Sequence, residues 1–140
     1  MMAGILVVAA SPSGPVGLVK ESAAVSKMVL DAAVTAKTPL LKALAEDMKS
    51  SMSIPKPPAG ATPAAVQDAA AEILRRTSDL LGTKATPEEA EEVKQWLAKV
   101  AQATAEATKE GGFLGFGGVL VSDEEKVALA KVNSTLGLAA

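Results

Sequence analysis

The chain has 140 residues, 49% of them hydrophobic and 21% charged, with a formal net charge of −2; this suffices for one domain, residues 1–140, with a real core, and is too apolar for a disordered segment. It contains neither cysteine nor histidine, which excludes disulfides, thiolate nucleophiles and Cys-ligated metals, and removes imidazole both as general base and as metal ligand. The small negative net charge leaves no basic face of the kind that nucleic acid requires.

Residues 1–10 (MMAGILVVAA) are apolar but short. They lack the basic start of a signal peptide and are about half the ~20 residues that cross a bilayer, so a short buried helix or strand is expected. A two-stranded pairing of Ile5-Leu6-Val7-Val8 with Val119-Leu120-Val121 is the weak β alternative. No apolar run is long enough to span a membrane, and the chain reads as cytoplasmic. It starts abruptly at this apolar segment, so a preceding extension stays open.

Ser11-Pro12-Ser13-Gly14-Pro15 ends the segment, and Pro15 suits the first turn of a helix, where its missing N–H costs nothing. That helix is expected over residues 15–36, with Val16, Val19, Ala23, Ser26, Val29, Leu30 and Ala33 on an apolar face wide enough for burial on more than one side. Thr38-Pro39 pairs a hydroxyl N-cap with proline at the first helical position. Leu40, Leu41, Leu44, Met48 and Met52 follow at helical spacing. The Pro-rich stretch from Ile54 to Gly60 is expected to be extended and strapped across the bundle. Thr62-Pro63 repeats the start signal, Val66, Ala70, Ile73, Leu74, Thr77, Leu80 and Leu81 form a stripe, and Gly82 is expected to stop the helix. Thr86-Pro87-Glu88-Glu89 reads as a capping box. Val93, Trp96, Leu97, Val100, Ala101 and Thr104 then share one face, with Gly111 as the stop. Ser122-Asp123-Glu124-Glu125 is a second capping box, and Ala128, Leu129, Val132 and Leu136 precede Gly137. The even spacing of Thr38, Thr62 and Thr86 reflects similar helix lengths, because the segments between share little beyond their caps. An all-α antiparallel bundle of four to five helices, with a short apolar N-terminal segment, is the expected fold.

Few constellations invite chemistry. Arg75-Arg76 is ringed by Asp68, Glu72 and Asp79 and reads as a solvated face. Glu88, Glu89, Glu91 and Glu92, and Asp123, Glu124 and Glu125, crowd the first turns of two helices, where the dipole favours acids. Neither group has the spacing of a calcium loop, and carboxylate metal sites in bundles use Glu-x-x-His. No metal or cofactor is therefore expected. Ser53-Ile54-Pro55-Lys56 has the Ser-x-x-Lys spacing, but its prolines oppose the helical turn that spacing needs. Trp96 is expected in the core with its N–H on a carbonyl. Met28, Met48 and Met52 read as core packing, with an adaptable groove as the alternative. An enzyme is not expected.

Residues 111–118 (GGFLGFGG) concentrate five of the eleven glycines and both phenylalanines. Glycine gives this loop access to positive φ, and Phe113 and Phe116 supply bulk that a chain with one other aromatic residue lacks. Three acids open the following helix and would repel phosphate, so a nucleotide loop is not expected. The rings either cap the bundle's end or mark a contact surface. The candidate partner-binding residues are Phe113, Leu114, Gly115, Phe116, Gly117 and Gly118.

The run Pro12-Ser13-Gly14-Pro15-Val16-Gly17-Leu18-Val19-Lys20-Glu21 and the glycine run from Glu110 to Ser122 resemble segments of small uncharacterised bacterial helical proteins. Together they cover about a sixth of the chain, and the resemblance implies no activity. What the residues point to is a non-catalytic structural or interaction protein that binds itself or another protein, self-associating as a homo-oligomer through Ala-rich helix faces and the Gly/Phe loop. The alternatives are a peripheral membrane binder using that loop, disfavoured by the negative charge, and a bundle holding an apolar small molecule between its helices.

Overall fold

Thr38, Thr62 and Thr86 each open a helix, as their hydroxyls predict. In the computed structural model, which describes residues 4, 5, 7, 9, 14–50, 60–107 and 121–138, five helices are laid out in chain order. They are α1 (Gly14–Thr35), α2 (Pro39–Ser50), α3 (Pro63–Lys84), α4 (Pro87–Ala107) and α5 (Asp123–Leu136). The fold is all-α, with no strand among the described residues. The Leu41, Ala65 and Glu89 N–H groups donate to the hydroxyls of Thr38 (3.4 Å), Thr62 (3.2 Å) and Thr86 (3.3 Å), satisfying donors that a helix start leaves over. Both capping boxes form: Glu89 accepts from the Thr86 N–H at 3.0 Å, and Glu125 from the Ser122 N–H at 2.8 Å. Gly137, at φ 71°, closes α5 in the left-handed conformation, and Leu138 donates back to Asn133 at 2.9 Å.

α4 is the central element. It packs against each of the other four helices, while α1 also packs on α2, and α3 on α5. Its buried residues are Ala90, Val93, Trp96, Leu97, Val100, Ala101, Thr104 and Ala105. At 100° per residue they cover about half of the helix circumference, as a helix with neighbours on two sides requires. Every residue of the expected α4 stripe is among them. In α5, Ala128, Val132 and Leu136 are buried and Leu129 is partly so, again as expected.

The N-terminal segment is helical at Gly4, Ile5, Val7 and Ala9, so Ile5 and Val7 are not in a strand. Val7 is buried, and a Cβ on Gly4 would meet Thr104 Oγ1 at 3.0 Å and Val25 Cγ2 at 3.3 Å. The segment therefore lies against α1 and α4, and glycine permits the approach.

Three expectations are corrected. The buried side of α1 is Glu21, Val25, Val29, Ala32 and Ala33, whereas Val19, Ala23 and Leu30 are exposed; α2 and α4 cover one side of a helix whose apolar residues spread over more than one side. In α3, Ala70, Leu74 and Leu81 are buried but Ile73 and Leu80 face outward, Leu80 at 60% exposure. Gly82 does not stop α3. Leu81 is held in the core, so the turn continues to Lys84, and the chain leaves the helix at Ala85 just before the Thr86-Pro87 start. α2 is described to Ser50; Met52, the Pro-rich stretch and the Ser53–Lys56 pair lie outside the described residues.

Candidate functional site

The sequence-predicted contact residues Phe113, Leu114, Gly115, Phe116, Gly117 and Gly118 lie outside the described residues. The other singled-out groups are placed. Arg75 is held by Glu72 at 2.9 Å and Asp79 at 3.1 Å, and Arg76 by Glu72 at 2.9 Å. The two guanidiniums hold the Glu72 carboxyl down to about 2, and Glu72 in turn raises Arg75. An anion would have to displace these carboxylates, so the pair is a self-neutralised surface. The acidic turns are similarly engaged: Glu89 and Glu125 close their capping boxes, Glu91 accepts from Gln95 at 2.7 Å, and Lys126 pairs with Asp123 at 2.8 Å and lowers its pKa. Among the described residues no three acids gather where they could hold a metal ion. Trp96 is buried and its indole N–H donates to the Met28 carbonyl at 3.2 Å, as expected.

Glu92 does what its place in an acidic run does not announce. It reaches from α4 to the elbow between α1 and α2, where its two oxygens accept the Lys37 N–H (2.7 Å) and the Thr38 N–H (2.8 Å). One carboxylate so caps a helix more than fifty residues away in sequence. The Thr38 hydroxyl, then the Lys37 and Thr38 backbone donors and the Lys37 charge, hold its carboxyl below the ordinary 4.5. A carboxyl depressed in the fold contributes stability that is present above its unfolded pKa and is lost as the pH falls through the folded value. Glu92→Gln, with one acceptor oxygen for two donors, is expected to be less stable than the parent at neutral pH. The difference should shrink as the pH drops below 4.5, in urea melts followed by circular dichroism.

Beside this elbow a cleft of about 860 Å³ opens between α1, the start of α2 and the first half of α4. Its floor is Met28, Ala32, Ala36, Leu41 and Trp96, and its rim carries Asp31, Lys37, Glu88, Glu91, Glu92 and Lys99. Ala32 and Ala36 put small side chains on that floor. The volume lies in the range of small-molecule pockets. Periodicity marks Trp96 and Leu41 as core and says nothing of the gap between them. Of Met28, Met48 and Met52, Met28 lines this cleft and Met48 packs against the core.

A second surface lies on the other side of α1. Val19 (69% exposed), Ala23, Leu30 and Val34 (85% exposed) fall within about 60° of one another and form an outward apolar face about 22 Å long. The signal for it in the sequence is the excessive width of the α1 apolar face.

Fold and surfaces together define a class: an all-α protein built around one central helix, with an open cleft and an outward apolar helix face. Comparison with known proteins places it no further, since no family model, no curated protein and no solved structure matches the chain.

Proposed function

We propose that this is a non-catalytic interaction protein that self-associates through the outer face of α1. The observation that carries this is the outward position of Val19, Ala23, Leu30 and Val34 on a single stripe. Their order is symmetric about a point between Ser26 and Lys27. A two-fold axis there sets Val19 of one copy against Val34 of the other and Ala23 against Leu30, the self-matching that an isologous contact requires. The alanines Ala32, Ala33, Ala45, Ala70, Ala101 and Ala105 are spent inside the chain's own core, whereas Ala23 is exposed and belongs to this face. No described helix is long and apolar enough to cross a membrane.

The antiparallel bundle belongs to the same reading. Along α1 toward its end, contacts on α4 move toward its start: Val25 lies near Thr104, Met28 meets Trp96, and Thr38 meets Glu92. Along α3 and α5 they advance together, from Asp68 with Lys131 (3.1 Å) to Ser78 with the Leu136 carbonyl (3.5 Å). Both orders suit helices that alternate in direction.

One helix face buries less than the ~800 Å² per partner of a standard interface, so the association is weak and concentration-dependent. Sedimentation velocity across the micromolar range is expected to show a monomer–dimer equilibrium. The exposed double substitution Leu30→Glu with Val34→Glu is expected to leave a monomer with an unchanged circular dichroism spectrum. A parent chain that stays monomeric, or a double variant that still dimerises, overturns the proposal.

A further inference from the structure

We propose that the cleft between α1 and α4 binds an amphiphilic cation, a molecule with an apolar body and an ammonium group. This site is on a different side of α1 from the stripe Val19, Ala23, Leu30 and Val34, and it stands or falls independently of self-association.

The apolar part of such a ligand has a defined seat. Trp96 is 7% exposed and has its N–H committed to the Met28 carbonyl at 3.2 Å, so it offers the cleft a small apolar part of its ring. Leu41 and Met28 extend that surface, and a thioether adapts to irregular shapes. The polar part is selected by charge. The rim carries four carboxylates against two ammonium groups, Lys37 and Lys99. Lys37 already lies in the field of Glu92. With the Lys27 that holds Asp31 counted as well, four carboxylates face three ammonium groups, an excess of one negative charge. Lys27 pairs with Asp31, and Gln95 donates to Glu91, but a carboxylate has about four lone-pair positions and each keeps capacity for another donor.

The helix dipole accounts for one end of this arrangement only. It favours Glu88 in the first turn of α4. Asp31 stands near the end of α1, where the dipole disfavours an anion and Lys27, one turn earlier, compensates it. Asp31 and Glu88 thus approach the cleft from two helices. The acids concentrate toward the start of α4, with Trp96 one to two turns further along, so a ligand would lie with its head near Glu88 and its tail along the indole.

Trp96 is the only tryptophan, and its fluorescence reports this cleft alone. The test is a titration with three probes of one chain length, decyltrimethylammonium and decyl sulfate below their micelle thresholds and decanol below its solubility limit. Circular dichroism on the same samples checks that the fold persists. The expected result is a saturable change in Trp96 emission with decyltrimethylammonium at an affinity about fivefold above that for decanol, with decyl sulfate the weakest. Exposed ion pairs are worth enough for that ratio and little more. Glu88→Gln combined with Glu91→Gln, both at the surface, is expected to remove the preference for the cation and leave decanol binding as it was. Equal affinities for the three probes overturn the choice of a cation and leave only an apolar slot. No emission change with any probe overturns the site itself.

Discussion

Trp96→Ala is expected to cost about 3 kcal/mol of folding stability, measured by urea denaturation followed by circular dichroism. Truncating a buried tryptophan removes about 3–5 kcal/mol, and three features of Trp96 set where in that range it falls. The side chain is 7% exposed, so nearly all of its surface leaves water on folding. Its N–H bond to the Met28 carbonyl ties α4 to α1 across 68 residues of sequence, and the variant loses that bond as well. Against these, the ring also lines an open cleft. A void left there joins solvent and does not persist as an empty cavity, which lowers the penalty toward the bottom of the range. Trp96→Phe keeps most of the apolar area and is expected to cost about 1–2 kcal/mol, the worth of the hydrogen bond and the lost ring edge. A loss under about 1 kcal/mol for the alanine variant would mean that α1 and α4 are held together by something other than this contact.

The same residue shows how far the sequence can be read. Trp96 stands in the middle of the Val93, Leu97, Val100, Ala101 and Thr104 stripe, and that periodicity was enough to place it in the core with its N–H on a carbonyl. The caps were equally legible, because Thr-Pro and Ser-Asp-Glu-Glu act on their own next turn of helix. α1 was not. Val19 and Val29 are both branched apolar residues, yet Val29 is buried and Val19 is exposed, and the choice depends on which side α2 and α4 come to occupy. Glu92 was unreadable for a related reason. An acid in an acidic run looks like dipole compensation, and only the fold brings the Lys37 and Thr38 N–H groups to it. The cleft has no one-dimensional signature at all, since its lining comes from α1, the start of α2 and α4, which only the fold brings together. Gly82 misled because a glycine signals the end of a helix only where the core has no further claim on the turn, and Leu81 makes that claim.

Ala101→Leu is expected to destabilise the protein by about 1–3 kcal/mol, although leucine is more hydrophobic and nearly as good a helix former as alanine. Ala101 and Ala105 are fully enclosed at 0% exposure, on the central helix that all four others contact. With alanine there, neighbouring helices can approach α4 closely, and the fold gains contact between backbones in place of large side chains. Three additional carbon atoms at Ala101 must then push a neighbour away or take a strained rotamer. Because α4 touches helices on two sides, a shift on one side is transmitted to the other, and the cost is not relieved by local movement. Gln102 is the control. It sits one position along on the exposed arc and only donates to Glu106 at 2.8 Å, so Gln102→Ala is expected to stay within about 0.5 kcal/mol of the parent. If Ala101→Leu proved neutral or stabilising in the same urea melts, close packing around α4 would be loose enough to admit a leucine, and the small residues of this helix would not be what sets the spacing of the bundle.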